Sequence, residues 1–152
     1  MKYWVILFLL FLACFKAKAD EVECLALNIY HEARNQPTAG KLAVAQVTLN
    51  RVKHDRFPNT ICGVVYQGYY LNNNPIKHKC QFSWWCDGKS DKPKEIESWN
   101  YALMLARHMH EGIFDNIDVV KDATHYHAVY VKPYWTKEKK KVKVIADHIF
   151  YK

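Results

Sequence analysis

The stretch EVECLALNIYHEARNQPTAGKLAVAQVTLNRVK, from Glu21 to Lys53, decides how the rest of the chain is read. From Glu21 to Arg34 it avoids Gly and Pro and favours Leu, Ala and Glu, a composition that suits an α-helix. Asn35-Gln36-Pro37-Thr38 interrupts the helix, offers capping side chains and sets a proline near the next helix start. A second helix is expected to run to about Lys53. Its Leu42, Ala45, Leu49 and Val52 form one apolar stripe, and Ala43, Val44 and Val47 widen it, so most of this helix should be buried. Gln46 and Asn50 share a face. Buried amides need partners, so that face either meets backbone groups or lines a cleft.

Downstream, Phe57-Pro58-Asn59-Thr60 is loop chemistry, and Ile61 to Gln67 is short and ambiguous. Gly68 to Lys79, with consecutive asparagines and Pro75, reads as a surface loop. A third helix is expected from about Pro93 to Glu111, where Ile96, Trp99, Leu103, Ala106 and His110 keep helical spacing and Gly112 ends it. Beyond Asp122 the period becomes two. Thr124, Tyr126, Ala128 and Tyr130 fall on one face, and His125, His127, Val129 and Val131 on the other, which is strand patterning. Val142 to Tyr151 reads as another strand. Helices first and a small β-sheet late make an α+β single domain.

Upstream, Met1-Lys2 precedes an apolar run from Tyr3 to Phe15 and then Lys16-Ala17-Lys18-Ala19, with small residues where a signal peptidase inspects. Residues 1–19 are read as a secretory signal, since the run falls short of the roughly 20 residues a spanning helix needs. The product is expected to be exported to the periplasm, cell wall or extracellular space. Retention as a membrane tether is one alternative. Lipidation at Cys14 is another, opposed by Phe11 where the usual lipoprotein signal has an aliphatic residue.

Removal of that segment leaves 133 residues, which suits one domain with one core. They carry 19 Lys and Arg against 15 acids, a charge of +4. Basic proteins concentrate at walls, nucleic acid or anionic lipid, so charge selects a class of partner without naming one. Most of the excess lies in Lys137 to Lys143, read as a solvated loop. Cys24, Cys62, Cys80 and Cys86 suggest two disulfides in an exported domain. No close C-x2-C pair invites structural zinc. If the segment from Cys80 to Cys86 is extended, its ends lie about 20 Å apart at ~3.3 Å per residue, too far to bond. Cys24 and Cys62 would then each pair with one of them.

Glu32 follows Leu25, Asn28 and Ile29 at spacings that set it on a partly apolar helix face. A carboxyl there loses hydration. Its pKa rises above the ordinary value of ~4.3, as a general acid protonating a glycosidic oxygen requires. The plainer alternative is a solvated surface glutamate. His31 beside it suggests a metalloprotease, but H-E-x-x-H would need a histidine where Asn35 stands. His125 and His127 form an H-x-H pair of the kind that binds metals, with His31 or His148 as a remote third ligand. Hydrogen bonding to the cleft floor or to a sugar is the preferred reading. No nucleophilic-serine elbow is present, and paired cysteines leave no thiol nucleophile. Gln81-Phe82-Ser83-Trp84-Trp85 combines aromatic faces that stack on sugars with groups that bind hydroxyls, although aromatic-rich strands are more often core.

The run from Cys24 to Arg34, followed by Ala43-Val44-Ala45-Gln46-Val47 and Asn50-Arg51-Val52, resembles the opening of the SleB-type cell wall hydrolase family. The resemblance continues through Phe57 to Tyr66, Gln81-Phe82-Ser83-Trp84, Ala123-Thr124-His125-Tyr126-His127 and His148-Ile149-Phe150-Tyr151, in that family's order. It implies a lysozyme-like or transglycosylase-like α+β fold over residues 20–152. It also implies cleavage of peptidoglycan glycan strands at the β-1,4 bond between N-acetylmuramic acid and N-acetylglucosamine. Glu32 matches the family's catalytic glutamate. Cortex specificity, which the best-known members exert through an additional wall-binding domain, is not carried over.

Two-carboxylate hydrolysis of the muramidase type needs a second acid, for which Asp87 and Asp122 are the candidates. A lytic transglycosylase does without one, because the muramic acid C6 hydroxyl attacks C1 to give a 1,6-anhydro end. That outcome is the one expected. Motif position makes Gln81, Ser83, Tyr126 and His125 binding or transition-state partners. A zinc amidase or peptidase using His125 and His127, and a non-catalytic wall-binding module, are the alternatives from other classes. Neither metal nor cofactor is expected. The domain should be a monomer that meets peptidoglycan, with no nucleic acid partner and no stable membrane association once the signal is cleaved.

Overall fold

The computed structural model describes residues 20–152. The signal reading and Cys14 lie outside the described residues. Among those described, no helix is long and apolar enough to cross a membrane.

Helix α1 spans residues 20–33, and α2 spans Thr38–Val52 after the Pro37 break. Thr60 caps the short α3 (Ile61–Val65) by accepting from the Gly63 amide. An antiparallel hairpin follows, β1 (Gly68–Leu71) with β2 (Asn74–Cys80). A 3-10 turn at Ser83–Cys86 leads on to α4 (Ile96–His110), and Gly112 closes that helix at φ +75°. The remaining strands are β3 (His125–Ala128), β4 (Lys141–Ile145) and β5 (His148–Tyr151). They pair antiparallel in the order β3-β5-β4. The architecture is α+β.

Burial explains why α2 carries apolar residues around most of its circumference. Leu42 and Ala45 join the helical core with Leu25, Ile29, Val64, Val65 and Leu105. Ala43 and Val47, on another side, pack on Val120, Ala123 and Phe150 beneath the sheet. The amide face of α2 meets backbone groups. Asn50 donates to the carbonyls of Lys121 and Ala123 at 2.6 and 3.0 Å. Gln46 accepts from the Val119 amide at 2.9 Å and bonds the Ile117 carbonyl. These bonds pin the segment that enters β3. Asn28, fully buried, ties three elements by donating to Thr48 Oγ1 at 3.0 Å and accepting from Trp84 Nε1 at 3.1 Å.

Several expectations need correction. The presumed loop from Gly68 to Lys79 is the β1–β2 hairpin. Asn72 and Asn73 take φ of 49° and 63°, two successive left-handed residues of the kind that close a tight hairpin and that asparagine tolerates. Val142 to Tyr151 is two strands, reversing at Ala146 (φ 48°) and Asp147, with Gln36 donating to the Asp147 carboxylate. The lysine cluster is therefore partly strand, since Lys141 and Lys143 lie in β4. Strand β3 ends at Ala128, so the alternation to Val131 overruns it. On α4, Ile96 is 66% exposed, and the buried face is Ala102, Leu105, Ala106 and Met109. The spacing found a helix but its outermost turn lies beyond the core.

The disulfides are also otherwise. Cys24 bonds Cys62, joining α1 to α3, and Cys80 bonds Cys86. The segment between the second pair is not extended. Its 3-10 turn folds the chain back and brings the two Cα atoms within 6.1 Å.

Candidate active site

The last turn of α1 holds Glu32, and strand β3 brings Tyr126 to it. The Tyr126 hydroxyl donates to Glu32 Oε2 at 2.8 Å. Glu32 retains partial solvent access, while protein atoms fill nearly all the space around its carboxyl, as on a cleft floor. Burial pushes its pKa up. The hydrogen bond from Tyr126 and the charge of Arg51 act against that rise. Tyr126 is itself pushed well above its ordinary value by burial and by the neighbouring Glu32, so it stays a neutral donor. Its ring is fixed edge-on by His148 at 5.2 Å and lies against Phe150 at 5.5 Å.

Arg51, from the last turn of α2, is buried with 5% exposure. Its Nε donates to the Thr124 carbonyl at 2.7 Å. The guanidinium lies over the rings of Phe57 and Phe82 at 5.2 and 5.1 Å. Sequence reasoning did not single it out as a site residue. The available signal was a charge in the last turn of a helix whose residues are largely buried.

His125 and His127 point away from Glu32, as alternation along β3 demands. Burial, followed by the cations Lys139, Arg51 and Arg56, depresses His125 to about 4, so it is neutral at neutral pH. It bonds Thr124 Oγ1 at 2.9 Å and faces Trp135. His127 has both nitrogens engaged, one at the Ala128 carbonyl and one at the Tyr151 hydroxyl, 2.8 and 3.0 Å away. Among the described residues no three His, Cys, Asp or Glu side chains converge on a common point. His148, buried, has no hydrogen-bond partner for Nδ1 among the described residues.

The Gln81–Trp85 block is turn rather than strand. Gln81 and Ser83 are exposed there, and neither side chain hydrogen-bonds Glu32 or Tyr126 among the described residues. Trp84 is core, bonded to Asn28 and stacked on His31 at 4.4 Å. Beside it opens a cleft of about 440 Å³, lined by His31, Arg34, Asp87, Asp91 and Lys92 among others. Asp87 turns to the Lys89 amide at 2.7 Å and to its ammonium at 3.8 Å. The Asp122 side chain is 90% exposed and pairs with Lys152 at 3.6 Å. Of the proposed residues, the structure brings together Glu32 and Tyr126, with Arg51 behind them.

The model of the Cell Wall Hydrolase family matches residues 35–151, beginning just after Glu32. Among curated proteins, the chain is similar to the spore cortex-lytic enzyme of Bacillus cereus, 42% identical over 48 residues, or 32% of this chain and 18% of that enzyme. The Bacillus subtilis spore cortex-lytic enzyme is 40% identical over 48 residues, again 32% of this chain and 16% of the enzyme. The matched stretch thus spans less than a fifth of either relative. Two solved structures are similar over most of the chain. The catalytic domain of the germination-specific lytic transglycosylase SleB from Bacillus anthracis superposes with a TM-score of 0.63 at 28% identity, covering 87% of this chain and 93% of that one. The catalytic domain of Bacillus cereus SleB gives 0.60 at 28% identity, covering 87% and 89%.

Proposed function

The chain belongs to the cell wall hydrolase family, and from that premise we propose that it cleaves peptidoglycan glycan strands between N-acetylmuramic acid and N-acetylglucosamine, with Glu32 as its general acid. The observation that carries the reading is the Glu32–Tyr126 pair. A carboxyl whose pKa burial raises is held at Oε2 by a neutral phenol. Its other oxygen is then available to a substrate.

The reaction proposed is that of a lytic transglycosylase. Protonated Glu32 gives its proton to the glycosidic oxygen as the C1–O bond breaks. The muramic acid C6 hydroxyl attacks C1, and the Glu32 carboxylate takes the hydroxyl proton, returning the enzyme to its starting state. The product is a 1,6-anhydromuramic end. Similarity to a lytic transglycosylase domain supports this route. So does the engagement of Asp87 and Asp122 with lysines rather than with the Glu32 pair. In the same reading Gln81, Ser83 and His125 contact the sugars, residues 1–19 direct export, and the mature domain acts as a monomer without metal or cofactor.

Mass spectrometry of muropeptides released from purified peptidoglycan tests the route. Products lighter by one water than hydrolytic reducing ends are expected. Reducing ends alone would replace the route with hydrolysis and return attention to Asp87 and Asp122.

A further inference from the structure

Arg51 is a buried cation with an incomplete set of partners. Its Nε is used by the Thr124 carbonyl, its faces are covered by Phe57 and Phe82, and its Nη1 is buried with no hydrogen-bond partner among the described residues. Among the described residues no carboxylate lies within ion-pair distance of it. Such burial is costly unless the charge is balanced by a field. Two rigid linkages fix where that charge sits relative to Glu32. Thr124, which Arg51 grips, directly precedes β3 and stands two residues before Tyr126, and Tyr126 holds Glu32. On the helices, Asn28 lies one turn before Glu32 and bonds Thr48, three residues before Arg51.

We propose that Arg51 is a positioning residue for catalysis: its guanidinium, anchored to the backbone of Thr124 at the entry to β3, supplies fixed positive charge that stabilises Glu32 as a carboxylate once the proton has been given up. The inference rests on Glu32 being the general acid. The direction of the electrostatic coupling agrees, since Arg51 opposes the rise in the Glu32 pKa and Glu32 opposes the fall in that of Arg51. Charge fixed in place needs no rearrangement when the leaving bond breaks, and poor solvation makes its field stronger than it would be in water. The other titratable groups around Glu32 are few. Tyr126 touches it from β3, and His148 from β5 meets the Tyr126 and Phe150 rings. His125, on the opposite face of β3, is neutral at neutral pH.

The test compares wild type with Arg51→Met and Arg51→Lys by two readouts. One is the pH profile of kcat/KM on soluble glycan fragments. The other is the ¹³C titration of the Glu32 carboxyl, assigned as the resonance lost in Glu32→Gln and readable whether or not the protein cleaves glycan. Without the cation the carboxyl should titrate at higher pH. The alkaline limb should then move upward while the plateau falls, by less than the ~10²-fold or more expected for removing a donor that touches the reacting atoms. Arg51→Lys should keep the limb near that of wild type. If Arg51→Met does not fold, Arg51→Gln, which retains a donor for Thr124, carries the same comparison. An unmoved Glu32 titration in the charge-free variant overturns the proposal. A moved titration in a wild type that cleaves no glycan would leave the coupling standing and refute the function instead.

Discussion

At the scale of single residues, Glu32 joins a site to a cost. Its spacing from Leu25, Asn28 and Ile29 foretold a dehydrated carboxyl, and burial in the structure does push its pKa up. The folded state therefore holds this proton more tightly than the unfolded chain, where the ordinary value is ~4.3. Stability falls as pH rises from that value through the folded pKa, and the whole penalty is present above it. Glu32→Gln keeps the shape and lacks the charge. It should melt higher than wild type at neutral pH, with the gap closing below pH ~4.3, as calorimetry at several pH values would show. A gap that widens on acidification would mean the carboxylate stabilises the fold. Tyr126 was legible from its motif position, and strand alternation set it on the face opposite His125. Arg51 was not, because its importance lies in partners remote in sequence, the Thr124 carbonyl and two phenylalanine rings.

At the scale of elements, helical periodicity located α1, α2 and α4, whose signals are local and long. Short elements were misread where turn chemistry decides. Two left-handed asparagines make a hairpin of what composition presented as a loop, and a 3-10 turn lets Cys80 reach Cys86. The two bridges should differ in energetic weight. Cys24–Cys62 links residues 38 apart and Cys80–Cys86 residues 6 apart. Loop-closure entropy then gives about 4 kcal/mol for the first and about 2 kcal/mol for the second. Urea denaturation should find the double alanine variant at Cys24 and Cys62 less stable than that at Cys80 and Cys86. The reverse order would place the greater constraint in the hairpin. Peptide mapping without reduction should recover both bridges as paired here, and a Cys24–Cys80 or Cys62–Cys86 peptide would refute the pairing.

At the scale of the whole molecule, α2 lies between the two core clusters and joins them. One side completes the helical core with α1, α3 and α4, and another supports the sheet through Val47, Val120 and Phe150. Because α1 delivers Glu32 and the sheet delivers Tyr126, the candidate site exists only when both halves are docked on α2. The arrangement of helices and late sheet was legible in the sequence, whereas the long-range docking was not, since periodicity assigns faces without saying which faces meet. The central claim is that this docked pair performs the chemistry. Its most direct test is release of soluble muropeptides from purified peptidoglycan by wild type and Glu32→Gln at equal concentration. The account predicts a fall of ~10²-fold or more in the variant, with the variant still folded and still sedimenting with cell walls. Undiminished release by Glu32→Gln would contradict it.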